Sequence, residues 1–203
     1  SFHGRTLATL TATGNPKIQA GFEPLVPGFI RVPYNDVNAI NEVSEQHPEV
    51  VAILVEPITG EGGIVIPDDD YLVKIRSLCD HHNWLLMLDE IQTGIGRTGK
   101  WFAYQYAGIL PEVLTLAKGL GNGVPIGACL ARGKVAEIFK PGKHGSTFGG
   151  NPLVCRAALA VLHTIEEENL LPRAIELGQR FYQGFSKSLA GLDGVVAIRV
   201  KGL

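Results

Sequence analysis

The chain has 203 residues, 45% of them hydrophobic and 19% charged, with a formal net charge of −2, the composition of an ordinary globular protein. A charge so near neutral gives no electrostatic ground for a nucleic-acid or anionic-membrane partner, and no apolar run approaches the roughly 20 residues that span a bilayer. Cys79, Cys129 and Cys155 are odd in number, widely spaced and mostly in apolar surroundings, which predicts reduced packing residues in a reducing compartment.

The first residues, Ser1-Phe2-His3-Gly4-Arg5, lack a methionine and a signal-peptide pattern. The last ones read like a strand and its following turn, so the chain is expected to be an internal piece of a longer protein. Residues 50–55 form a short continuous apolar run, predicting a strand buried on both faces. Asp68 is expected to cap a helix over 69–82, on which Tyr71, Leu72, Ile75 and Leu78 recur at helical spacing. On that helix His81 and His82 would point to different faces, and no pair of cysteines or histidines has metal-ligand spacing. Further apolar strands are predicted at 84–88, 112–117 and 126–131. A helix opening at Asn151-Pro152, with Asn as cap and Pro in the first turn, should run to about residue 168. Another follows from Pro172 to about 189, and 195–200 reads as a closing strand.

Strands separated by helices imply parallel crossovers and an open α/β sheet. Ligands of such sheets gather beyond the carboxyl ends of the strands. Asp89 closes one predicted strand and Lys118 another, which places an acid and an amine on one rim without placing them side by side. Lys118 lies between an apolar strand and the glycine-rich Gly119-Leu120-Gly121. A poorly solvated amine there would have a lowered pKa and could form a Schiff base with an aldehyde; a surface lysine at a strand end is the plain alternative. Asp89 could keep a pyridine nitrogen protonated, or could simply cap a turn. The glycines of 94–99 contain the dinucleotide-binding spacing, but they do not lead directly into a helix and the next strand ends in a lysine, which argues against a nicotinamide enzyme.

Five blocks carry a resemblance: Ser1-Phe2-His3-Gly4-Arg5-Thr6; Val55-Glu56-Pro57-Ile58-Thr59-Gly60-Glu61-Gly62-Gly63; Leu88-Asp89-Glu90-Ile91-Gln92-Thr93-Gly94 with Gly96-Arg97-Thr98-Gly99; Ala117-Lys118-Gly119-Leu120; and His144-Gly145-Ser146-Thr147-Phe148-Gly149-Gly150-Asn151-Pro152. In this order and spacing the chain resembles the class III (ornithine-type) aminotransferases along essentially its whole length, and most of all their acetylornithine-using branch. The resemblance implies the fold type I large domain with a mainly parallel central sheet over 1–150. Connecting helices and the start of a smaller C-terminal α/β domain would occupy 151–203.

It also implies pyridoxal 5′-phosphate as cofactor. Lys118 would hold it and shuttle the proton, and Asp89 would pair with the ring nitrogen. Phe2 and Ile91 would pack on the two ring faces, and Gln92 would reach the ring hydroxyl. Thr147 would bind the phosphate across the interface of a homodimer. Arg5, Glu61 and Ser146 would face the substrate, Arg5 through a carboxylate-matching fork. Glu61 would pair with a second arginine until glutamate or 2-oxoglutarate displaces it. That arginine and the upstream phosphate-binding turn lie outside this chain.

Thr59 stands where many relatives carry glutamine. Glu56 reads as a structural acid, Glu90 and Arg97 as fold salt-bridge formers, and His3 and His144 as loop residues with satisfied hydrogen bonds. The implied reaction is cytoplasmic amino transfer from N-acetylornithine to 2-oxoglutarate in arginine biosynthesis. Ornithine, succinylornithine, succinyldiaminopimelate and 4-aminobutyrate are alternative donors. A glutamate-1-semialdehyde aminomutase and a truncated or pseudoenzyme interaction module are the rival readings.

Overall fold

The computed structural model describes residues 1–203. Its contacts cluster into two compact units, 1–89 with 107–114 and 90–106 with 115–203. The strands β1 (Ala52–Val55), β2 (Leu85–Asp89), β3 (Val113–Leu116) and β4 (Ala128–Ala131) follow one another in that order in one sheet. β1 and β2 are parallel, in the register Ala52↔Leu85 to Val55↔Leu88. Three of the five predicted strands are shorter than the apolar runs that announced them, because ladder bonding covers only part of each run.

In the first unit, α1 (Leu7–Ala12), α2 (Pro16–Gln19) and α3 (Val37–Gln46) precede β1. Asp36 starts α3 by accepting the Ala39 N–H at 3.0 Å, a side-chain cap that meets one of the helix's unpaired donors. The crossover helix α4 (Tyr71–His82) buries Tyr71, Leu72, Ile75 and Cys79, a stripe with the 3.6-residue period of an amphipathic helix. It begins two residues later than expected. Asp70, not Asp68, stands at the cap and makes no side-chain cap bond, while Asp68 contributes its carbonyl to the Tyr71 N–H at 3.0 Å. Asn83, at φ 56°, ends the helix, as asparagine can because it tolerates the left-handed region.

Ile75, Leu86 and Leu88 are fully buried, each burial stabilising the unit by about 1.5–3 kcal/mol. Glu112 ties α4 to β2: its Oε2 accepts from Arg76 at 2.7 Å and from the Leu86 N–H at 2.9 Å. β1 departs from the expectation of burial on both faces. Val51 is exposed and three of the four β1 residues are only half-buried, since β1 is an edge of the sheet. The His81 and His82 rings also meet, edge to face at 4.7 Å, and His82 stacks on Trp84, so they do not diverge as adjacent helical positions would. Cys79 is the packing thiol expected, and burial pushes its pKa up to about 12. Cys129, by contrast, is exposed on the edge strand β4.

Between β3 and β4 the glycine-rich stretch after Lys118 forms no α-helix; Lys118–Leu120 is a single 3-10 turn. Asn151 and Pro152 open α5 (Pro152–Glu167) as predicted, the Asn151 side chain accepting the Val154 N–H. Asn169, at φ 51°, breaks the chain before α6 (Leu170–Ser188). Pro172 therefore sits inside the first turn of α6, where its missing N–H costs nothing. Residues 195–200 form no strand. The tail is held instead by Arg97, whose carbonyl accepts from the Leu203 N–H at 3.0 Å and whose guanidinium donates to the Leu203 carbonyl at 3.2 Å.

Candidate active site

Asp89 is the last residue of β2 and is buried. His3 meets it there: Nδ1 lies 2.8 Å from Asp89 Oδ2, and both side chains are only 5% exposed. A carboxylate only accepts, so the imidazole proton lies on Nδ1 and the other nitrogen is left for a second contact. The His3 backbone is itself fixed, its N–H donating to Thr13 Oγ1 at 2.8 Å. The sequence reading of a loop histidine with satisfied hydrogen bonds holds, but it missed what His3 satisfies. Nothing local in sequence links residues 86 positions apart.

Beside His3, the Phe2 ring carries the Arg5 guanidinium over its face, 5.7 Å from the centroid, within the range of a cation–π contact. Phe2 is half-buried and Arg5 exposed, which leaves the guanidinium able to meet an anion. The Phe2 N–H donates to Glu56 Oε1 at 2.8 Å and the Gly60 N–H to Glu56 Oε2 at 2.9 Å. Glu61 follows Gly60 on an exposed turn. Thr59 braces that turn from inside: its hydroxyl accepts the Val65 N–H at 2.8 Å, and its own N–H donates to the Val65 carbonyl at 3.2 Å. A threonine at this position thus has a positive structural use.

In the second unit, Glu90 is almost wholly buried. Its carboxylate accepts from the Thr93 hydroxyl and from the N–H groups of Ala103 and Tyr104, at 2.7 to 3.0 Å. This one acid folds the 90–106 segment on itself and so fixes Ile91 and Gln92, both half-buried. Gly94 is required there. A Cβ would stand 2.7 Å from the Glu90 carbonyl and 3.0 Å from Leu116.

Lys118 follows β3 at φ 40°, in the left-handed region, a conformation that costs a non-glycine residue of order 1–3 kcal/mol and concentrates at functional sites. Its side chain is exposed, contrary to the expectation of a dry amine. It borders a cavity of about 620 Å³ lined also by Gly123, Pro125, Gly127 and Phe148 to Gly150. Glycines in that wall let a flat ring approach the backbone. Ser146 and Thr147 lie on the neighbouring exposed loop, where Ser146 Oγ accepts the Gly149 N–H at 3.0 Å. Thus Phe2, His3, Arg5 and Asp89 belong to one unit, and Ile91, Gln92, Lys118, Ser146 and Thr147 to the other.

Comparison with known proteins gives the same family over the whole chain. The family model for Aminotransferase class-III matches residues 1–203. An acetylornithine aminotransferase of Nitrosomonas europaea is 58% identical over 203 residues, which are 100% of this chain and 52% of that protein. Another from Methanopyrus kandleri is 53% identical over 202 residues, covering 100% of this chain and 51% of that one. The chain spans about half the length of the curated relatives it matches. Among solved structures, the ornithine aminotransferase of Toxoplasma gondii superposes with a TM-score of 0.93 at 41% identity, over 98% of this chain and 47% of that one; it was described with partial occupancy of PLP at the active site. The acetylornithine aminotransferase of Elizabethkingia anophelis gives 0.82 at 44% identity, over 88% and 47% of the two chains.

Proposed function

The chain belongs to the class III aminotransferases, and on that premise we propose that the full-length protein moves the terminal amino group of N-acetylornithine to 2-oxoglutarate, giving N-acetylglutamate semialdehyde and glutamate. Residues 1–150 are read as part of the cofactor-binding large domain, and 151–203 as connecting helices and the start of the small domain. The observation that carries this reading is Lys118, held in a left-handed conformation at the edge of a glycine-walled cavity.

The residues present fit pyridoxal phosphate. An amine borders a cavity with room for a ring, and a buried carboxylate with a histidine behind it closes β2. When bound, that group supplies an electron sink for the carbon bearing the transferred amine. Lys118 would hold the cofactor and would take up and return the proton of that carbon. Asp89 would pair with the ring nitrogen, oriented by its 2.8 Å contact with His3. Phe2 and Ile91 pack on the ring faces, and Gln92 donates to the ring hydroxyl. Thr147 binds the phosphate of the neighbouring subunit in a homodimer.

Arg5 takes the substrate carboxylate, and Ser146 is the other residue assigned to the substrate. Glu61 neutralises a second arginine until a dicarboxylate arrives. No helix is long and apolar enough to cross a membrane.

Ornithine is the second donor to weigh, because the Toxoplasma gondii ornithine aminotransferase superposes so closely. Both readings meet one experiment. The full-length protein is loaded with pyridoxal phosphate and reduced with borohydride, and the pyridoxyl label is mapped. Half-reactions are then timed with acetylornithine, ornithine and 4-aminobutyrate. Label on Lys118 and the fastest half-reaction with acetylornithine are expected. Label on another lysine overturns the site, and a faster reaction with ornithine overturns the donor.

A further inference from the structure

Glu56 is 3% exposed, and a buried carboxylate is costly unless its oxygens are well met. Its partners are the backbone N–H groups of Phe2 and Gly60, one on each oxygen, at 2.8 and 2.9 Å. These partners lie 54 and 4 residues away in sequence, and each sits at a functional segment. Phe2 carries Arg5 over its ring, and Gly60 precedes Glu61. Arg5 and Glu61 are exposed, so their position comes from the backbone beneath them rather than from packing around them.

The anchor itself is firm. Glu56 directly follows β1, and the Tyr34 hydroxyl lies 3.0 Å from the carbonyls of both Glu56 and Pro57. Tyr34 packs edge-on against Tyr71 at the start of α4, with ring centroids 5.3 Å apart. Burial, then Tyr71 and Glu56, hold the Tyr34 phenol well above its usual range, so it remains a donor.

We propose that Glu56 is a positioning residue whose two carboxylate oxygens clamp the Phe2–Arg5 pair to the turn bearing Glu61, so that ring packing and substrate-carboxylate recognition are set as one piece. A side chain that merely filled this space would be cheaper without charge. A glutamine would offer one acceptor and present its NH₂ to the other N–H, so a carboxylate is what meets both donors. The proposal rests on the roles of Phe2, Arg5 and Glu61 given above.

The test uses full-length holoenzyme and the variant Glu56→Gln. Amide hydrogen exchange is followed in the peptides containing Phe2 and Gly60. Half-reaction rates are compared for acetylornithine and for n-pentylamine, which has a terminal amine and no carboxylate. The variant should exchange faster in both peptides and lose about tenfold or more of its preference for acetylornithine, the effect of losing one charge-assisted hydrogen bond. Unchanged exchange, or an unchanged preference with only lower thermal stability, overturns the clamp. If Glu56→Gln does not accumulate, Glu56→Asp, one methylene too short to reach both amides, gives the same comparison. A wild-type borohydride label away from Lys118 would sink the underlying reading instead, independently of the variant.

Discussion

His3 and Asp89 form a buried pair in which the histidine has one evident duty, to hold a carboxylate at the end of β2. Replacing it by leucine keeps most of the volume and removes the donor to Oδ2. His3→Leu is expected to cost about 1–3 kcal/mol of stability, the penalty for taking one partner from a buried acceptor. It should also slow the half-reaction, since Asp89 would lose the contact that orients it. Denaturant unfolding and half-reaction rates of the full-length protein check both, and a variant with wild-type values in each would show that the pair does no orienting.

Asp89 was legible because a strand end is a position that sequence marks, and Lys118 for the same reason. His3 was not, since its partner lies 86 residues on. Nor was the exposure of Lys118, which depends on what else lines its cavity.

At the scale of elements, local signals served where the cause was local. Asn151 and Pro152 predicted the start of α5, and Asn151 does more than cap it. Its Oδ1 accepts the Val154 N–H at 3.2 Å while its Nδ2 donates to the Phe148 carbonyl at 2.8 Å. The cap therefore also fastens the loop bearing Ser146 and Thr147 to the helix. Asn151→Ala should lower stability by about 1 kcal/mol, measured by denaturant unfolding, and raise hydrogen exchange over 144–150. Asn151→Asp, which still accepts, should restore the helix and only part of the loop protection. Equal exchange in all three proteins would sever the cap from the loop.

Non-local causes were the ones that defeated prediction. Residues 195–200 have strand composition but make no ladder, because β-propensity is realised only against a partner. The glycines after β2 predicted a loop there, but not what folds it. Glu90 folds it, using its carboxylate to satisfy the N–H groups of Ala103 and Tyr104, and no periodicity announces such a side chain.

At the scale of the whole molecule, the exposed loop that carries Thr147 raises the question of whose site it serves. Phe148, next to Thr147, is 80% exposed. If Thr147 binds the cofactor phosphate of the neighbouring subunit, a subunit lacking Lys118 can still complete its partner's site, whereas a subunit lacking Thr147 cannot. Thr147→Ala alone should weaken cofactor binding about ten- to a hundredfold through the lost charge-assisted hydrogen bond, and Lys118→Ala alone should give no productive half-reaction. When differently tagged subunits of the two variants are unfolded together, refolded and allowed to pair at random, half the dimers are mixed. In each mixed dimer one site has both residues and the other has neither, because a two-fold dimer pairs the same patch from both subunits. Burst amplitude at limiting cofactor should then recover to about a quarter of the wild-type value, and purified mixed dimers should reach about half. Were Thr147 to act within its own subunit, every site of a mixed dimer would lack one residue or the other, and the amplitude would stay at the mean of the parents. The doubly substituted subunit mixed with wild type separates the cases again: sharing across the interface then leaves no intact site in the mixed dimer, whereas action within one subunit leaves one.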